Sequence, residues 1–204
     1  MRKEQEIIKN IIFDLGNVII NYNQKQIIDC FTKKDVEIEY IYSQIFNSPE
    51  WKLMDLGDIT NDQAIKIINE KNDFKYVKLT QEFLSEWYKK QYINRNVVNI
   101  ARKLKEKQYK LYVLSNMSDL CYEYFKNEDF FSLCKGIIIS SHEHIKKPDE
   151  KIYKLLLERY NLNPAECLFI DDTEKNYETA NKIGIKGRKI IPNDDKDIIE
   201  MLSE

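Results

Sequence analysis

Short apolar runs recur along this chain and alternate, over its second half, with patterns of helical period. The runs are Asn10–Phe13 (NIIF), 111–114 (LYVL), Gly136–Ile139 (GIII), 167–170 (CLFI) and 188–191 (RKII). Each is short, apolar and rich in β-branched residues, as strands covered on both faces are. Between the later runs, residues 96–107 place Val97, Val98, Ala101 and Leu104 on one helical face. Residues 149–160 start a helix behind Pro148, and residues 163–166 read as a short capped turn. The helix after Asp172 ends near Gly184, a natural C-cap. Strands alternating with helices predict an α/β fold, a Rossmann-like parallel five-stranded sheet flanked by helices.

The stretch from Asn23 to Asn94 differs, being helical in pattern with no strand-like run. Thr60 and Gln63 form a capping box ahead of Ala64, Ile65 and Ile68, and Thr80 opens a helix carrying Phe83, Leu84 and Trp87. About 70 residues are too many for a plain connection. The expected organisation is therefore a core of residues 1–22 and 95–204 with an inserted all-helical cap at residues 23–94. Trp51 and Trp87 read as anchors of the cap core, and Gly57 as a turn residue.

Composition narrows the function classes. With 43% hydrophobic and 32% charged residues the chain is globular. With a net charge of -2 and no basic stripe, nothing suggests a nucleic-acid partner, and none is expected. No apolar run is long enough to span a membrane, and the N-terminal MRKEQEIIKN lacks a signal peptide's apolar stretch, so a cytoplasmic protein is expected. Cys30, Cys121, Cys134 and Cys167 form no CxxC pair and read as reduced, mostly buried thiols. His142 and His144 lack further ligands for zinc and read as an exposed loop. Nothing in the sequence fixes an oligomeric state.

Candidate chemistry falls at the ends of the apolar runs. Asp14 follows NIIF, Ser115 and Asn116 follow LYVL, Lys147 follows GIII and its loop, and Asp171 and Asp172 follow CLFI. Ligands of open parallel sheets bind at the carboxyl ends of the strands. Carboxylates with a backbone carbonyl suit Mg²⁺, while a hydroxyl and an ammonium suit phosphate oxygens. A carboxylate can also be the nucleophile that forms an acyl-phosphate. Together these groups describe a phosphoryl-transfer site.

FDLGNVI at 13–19, LSN at 114–116, KPDEKIY at 147–153 and FIDDTEKNYETANKIG at 169–184 resemble, in order and spacing, the four motifs of the haloacid dehalogenase superfamily. The resemblance extends over the whole chain and points to the subgroup with a helical cap. FDLGN resembles a group of sugar-phosphate phosphatases related to the phosphatase domain of soluble epoxide hydrolase. It implies that Asp14 attacks phosphorus and binds Mg²⁺, with the Gly16 carbonyl and Asp172 as further ligands and Asp171 acting through water. It also implies that Ser115, Lys147 and the Asn116 amide hold the phosphoryl group, and that Asn176 orders the last motif. The segment SPEWKLMDLGDIT at 48–60 resembles the cap loop that reaches into such sites, with Asp55-Leu56-Gly57 where related sequences often have Glu-Arg-Gly.

One departure stands out. The position two residues after the nucleophile, usually an aspartate serving as general acid and base, is Gly16. A substitute acid must come from water, from the substrate, or from a cap residue such as Asp55 or Asp58. The expected activity is Mg²⁺-dependent hydrolysis of a small phosphorylated metabolite, with sugar phosphates as candidates, through an aspartyl-phosphate. The alternatives are a metal-independent carbon–halogen hydrolase and a non-catalytic binding protein. Against the first, Asp171 and Asp172 would face an anionic substrate with no cation between them. Against the second stands the intact set of Asp14, Ser115, Lys147 and Asp172.

Overall fold

The computed structural model describes residues 7–192, 194, 196–198 and 200. The first strand, β1 (Asn10–Phe13), is buried along its whole length. A tight loop then leads to β2 (Ile20–Asn21). The next helices are α1 (Gln24–Asp29), α2 (Asp35–Tyr40) running into a π-helical turn (Ile41–Phe46), and α3 (Pro49–Leu56). They are followed by α4 (Asn61–Lys71), α5 (Val77–Glu86) and a 3-10 turn (Trp87–Lys90). β3 (Tyr92–Ile93) then pairs antiparallel with β2, so the two crossings between the helical segment and the sheet lie side by side. The remaining elements are α6 (Arg95–Glu106), β4 (Lys110–Ser115), α7 (Asp119–Phe125), α8 (Asp129–Leu133) and β5 (Gly136–Ile139). After them come α9 (Ser140–Glu143), α10 (Glu150–Arg159), β6 (Cys167–Asp171), α11 (Glu174–Lys182) and β7 (Lys186–Lys189).

The main sheet has five parallel strands in the order β5-β4-β1-β6-β7. Successive strand residues face opposite sides, and this divides the core in two. Ile11, Phe13, Leu111, Val113, Leu168 and Ile170 pack with α6 and with the helical segment's own core, including Phe46, Phe83 and Trp87. Ile12, Tyr112, Leu114, Ile138 and Phe169 pack against Ile152, Tyr153 and Leu156 of α10. The helical segment thus shares one continuous apolar core with one face of the sheet.

Local chemistry sets the boundaries. Ser48 caps α3, accepting from the Trp51 N–H, and Gly57 ends it in the left-handed conformation at φ 71°. Thr60 and Gln63 form the expected capping box at α4.

Four expectations need correction. The last strand lies at Lys186–Lys189, not 188–191. It is an edge strand of polar residues, and its position is set by Gly187, where a Cβ would stand 2.2 Å from the Tyr177 carbonyl oxygen. Thr80 sits inside α5 instead of opening it, fully buried and sharing a 2.6 Å hydrogen bond with the Tyr40 hydroxyl. The segment expected to lack any strand contains β3, too short to carry a periodic signal. Of the four cysteines only Cys121 and Cys167 are buried. His142 and His144 are exposed, as expected, but at the end of a short helix and paired with Asp119 and Asp58. The expectations for residues 1–6 and for the end of the chain from 201 lie outside the described residues.

Candidate active site

The carboxyl edge of the sheet gathers side chains from four strands. Asp14 directly follows β1, and its N–H donates to the Ile170 carbonyl at 2.9 Å. Ser115 closes β4, Asp171 closes β6, and Lys147 arrives from the loop between α9 and α10. The Lys147 ammonium is 2% exposed, lies 2.9 Å from Asp14 Oδ1 and 2.6 Å from Asp171 Oδ2, and sits over the Phe169 ring. Burial works against this ammonium, but Asp14 and Asp171 outweigh it and hold its pKa above the ordinary lysine value.

Asp171 is fully buried and fully engaged. It accepts from the Thr173 N–H at 2.8 Å and from Asn176 Nδ2 at 3.0 Å on both oxygens. Asp172, half-buried, accepts from Asn17 Nδ2 at 2.8 Å. Asn17 reaches it from a left-handed backbone at φ 60°, a conformation asparagine tolerates better than most residues. The Lys147 backbone is clasped by Asn116, whose amide donates to the Lys147 carbonyl at 2.9 Å and accepts from its N–H at 2.8 Å. Beside them the Ser115 hydroxyl is buried and has no hydrogen-bond partner among the described residues. Leaving a buried hydroxyl unpaired is costly, which marks a position where a ligand oxygen would be welcome.

One ligand atom from each of Asp14, Asp171 and Asp172 lies within 4.8 Å of the others. Three carboxylates against one ammonium leave two negative charges in excess when all are ionised. The Asp14 carboxyl reflects this excess: burial, with Asp171 and Asp172, pushes it up to about 7 against the pull of Lys147. A hard divalent cation among these oxygens would offset that charge, so the donor set fits Mg²⁺.

A cavity of about 130 Å³ adjoins this edge, lined by Gly16, Ile20, Tyr22, Trp51, Asp55, Gln91, Asn116 and Met117. Trp51 packs on Trp87 at 4.6 Å between ring centroids and also faces the cavity, so it is more than a core anchor. Of the two aspartates at the end of α3 and just beyond it, Asp55 lines the cavity, whereas exposed Asp58 pairs with His144 Nδ1 at 3.0 Å. Asn17, Thr173 and the Asn116 side chain carry no motif signal in the sequence that marks these contacts. Asn17 stood inside FDLGN, but its partner Asp172 is 155 residues away.

The strand order and the polar side chains at the carboxyl edge define a doubly wound α/β fold with its ligand site at that edge. The chain belongs to the haloacid dehalogenase-like hydrolases, whose family model matches residues 8–184. It is 26% identical over 198 residues to a D-ribitol-5-phosphate phosphatase of Bacteroides thetaiotaomicron, covering 88% of this chain and 90% of that one. It is 24% identical over 181 residues to a sesquiterpene phosphatase of Aspergillus oryzae, covering 88% of each. A solved HAD family enzyme of B. thetaiotaomicron, in complex with magnesium and inorganic phosphate, superposes with a TM-score of 0.76 at 25% identity, over 94% of this chain and 98% of that one. No helix among the described residues is long and apolar enough to cross a membrane.

Proposed function

We propose that the protein is a Mg²⁺-dependent phosphatase acting on a small phosphomonoester through an aspartyl-phosphate at Asp14. The observation that carries this reading is the cluster of three carboxylates, two of them paired with a buried lysine, beside an unpartnered serine hydroxyl. Phosphatase names among the relatives, and a structural neighbour holding magnesium and phosphate, support it.

In this reading Asp14, Asp172 and the Gly16 carbonyl would hold the metal, with Asp171 supporting it through water. When bound, Mg²⁺ neutralises charge on the phosphoryl oxygens and on the carboxylates. Asp14 attacks phosphorus, the ester P–O bond breaks, and water later displaces the phosphoryl group from Asp14. The Ser115 hydroxyl and the Asn116 N–H donate to phosphoryl oxygens, and Lys147 neutralises charge that develops on them. Asn176 and Thr173 hold Asp171 in orientation, so that Lys147 stays in place.

Residues 23–94 act as a cap over a core of residues 1–22 and 95–204. The cavity beneath it is small and carries Tyr22, Asp55, Gln91 and Asn116 on its walls. Such a lining suits a short polyhydroxylated leaving group, which makes a sugar or polyol phosphate the favoured substrate class. A panel of phosphorylated metabolites assayed with and without Mg²⁺ tests the reading, with 2-haloacids as a control. Release of halide in EDTA, with no phosphate released from any ester, would overturn it.

A further inference from the structure

Gly16 brings no proton donor to the loop that carries Asp14, and a Cβ added there would meet nothing within 4 Å. Gly16 opens onto the cavity of about 130 Å³, whose walls also include half-buried Asp55 from the last turn of α3. That turn is fastened to the core. The Asp55 carbonyl accepts a 2.5 Å hydrogen bond from Ser140 Oγ, and the same hydroxyl accepts from the Met117 N–H at 3.0 Å. Two residues on, Gly57 passes so close to α9 that a Cβ would stand 2.1 Å from the Ser141 carbonyl oxygen. The Asp55 carboxylate itself accepts no hydrogen bond from the protein among the described residues. Its backbone is fixed, the residue lines the cavity, and its acid group is tied to no hydrogen-bond donor among the described residues.

We propose that Asp55 is the general acid and base of this hydrolase, supplied by the cap in place of the residue missing at Gly16. The proposal rests on the phosphatase reading above. In the first half-reaction Asp14 forms its bond to phosphorus as the ester P–O bond breaks, and the Asp55 carboxyl gives its proton to the leaving oxygen, which departs as an alcohol. In the second, water attacks phosphorus, its proton passes to the Asp55 carboxylate, and the bond from Asp14 to phosphorus breaks. Phosphate leaves, Asp14 is a carboxylate again, and Asp55 is again protonated. Ser140 is a positioning residue, acting through the Asp55 backbone.

The titration of Asp55 fits this task. Burial raises its carboxyl to about 7, with Lys146 the cation that pulls the other way. Tyr22 and Cys121 also feel its charge, but burial keeps both protonated, the thiol up to about 12. A carboxyl titrating near neutrality exchanges protons efficiently in both directions.

The test compares wild type with Asp55→Asn on a matched series of phosphate esters, from aryl to alkyl, at saturating Mg²⁺. The variant is expected to lose about 10²–10⁴-fold in kcat/KM on alkyl esters and less than about tenfold on aryl esters, whose leaving groups need no proton. Its plot of log kcat/KM against leaving-group pKa steepens. In wild type the alkyl rate falls above pH about 7, where Asp55 is deprotonated, and this limb is absent in the variant. Aryl turnover reports a folded site, and the wild-type pH limb needs no variant. Equal loss on aryl and alkyl esters, no loss on either, or a wild-type alkyl rate flat through pH 7 overturns the proposal. Failure of the phosphatase reading looks different: wild type then hydrolyses neither ester.

Discussion

Asn116 and Lys147 are joined by two reciprocal hydrogen bonds, the Asn116 amide donating to the Lys147 carbonyl and accepting from its N–H. This clasp fixes the backbone from which the Lys147 side chain enters a nearly dry site between Asp14 and Asp171. Asn116→Asp keeps the acceptor but sets a carboxylate oxygen against the Lys147 carbonyl. We predict a larger loss of kcat from Asn116→Asp than from Asn116→Ala, with KM less affected. Steady-state kinetics on the best ester checks it.

The two adjacent aspartates should separate cleanly. Asp171 is buried and accepts from Lys147, Asn176 and the Thr173 N–H, so Asp171→Ala leaves buried donors without their acceptor, although Lys147 keeps Asp14, and should cost about 3 kcal/mol of stability. Asp172 is half-buried and accepts from Asn17 and, at 3.2 Å, from the Thr173 hydroxyl, so Asp172→Ala should cost about 1 kcal/mol. In the proposed site Asp172→Ala should weaken Mg²⁺ binding more than Asp171→Ala does. Denaturant melts and calorimetric titration with Mg²⁺ read the two effects separately.

These residues also show what the sequence made legible. Asp14 and Asp171–Asp172 could be placed at one edge because apolar runs end directly before them, and parallel strands bring such ends together. The pairing of Asn17 with Asp172 could not be read, since it depends on a left-handed backbone and on a contact across 155 residues. β7 was misplaced by two residues because an edge strand of polar side chains carries no apolar period. Asp55 and Asp58 looked equivalent in sequence. Helix α3 ends between them, so one lines the cavity and the other meets His144 outside it.

Gly57 meets two demands that alanine fails. Its φ of 71° disfavours an L side chain, and a Cβ would stand 2.1 Å from the Ser141 carbonyl oxygen. The left-handed conformation alone costs about 1–2 kcal/mol, so Gly57→Ala should lower Tm by about 2–8 °C. It should also lower kcat/KM by loosening the contact between α3 and α9. Calorimetry and kinetics on one preparation check both. An unchanged Tm would mean that this contact is not made in solution.

The Asp55 carboxyl should leave a signature in stability. Its folded pKa, raised to about 7 by burial, lies above the ordinary aspartate value of 3.8. Folding therefore favours the protonated form, and wild type loses stability as pH rises from about 4 to 7, beyond which the penalty is complete. Asp55→Asn avoids the buried charge. Its Tm advantage over wild type should grow across that window and level off above it. Melting curves at pH 4.5, 6 and 8 measure the difference; a constant offset would contradict the raised value.

The account turns on a covalent bond between Asp14 and phosphorus. Its most direct test is rapid acid quench of the wild-type protein during turnover of a phosphomonoester in Mg²⁺, followed by peptide mass spectrometry. The account predicts a phosphoryl adduct on the peptide carrying Asp14, present during turnover and lost when EDTA is added first. Turnover of the same ester with no adduct at any quench time, matched by an equally fast Asp14→Asn variant, would contradict it.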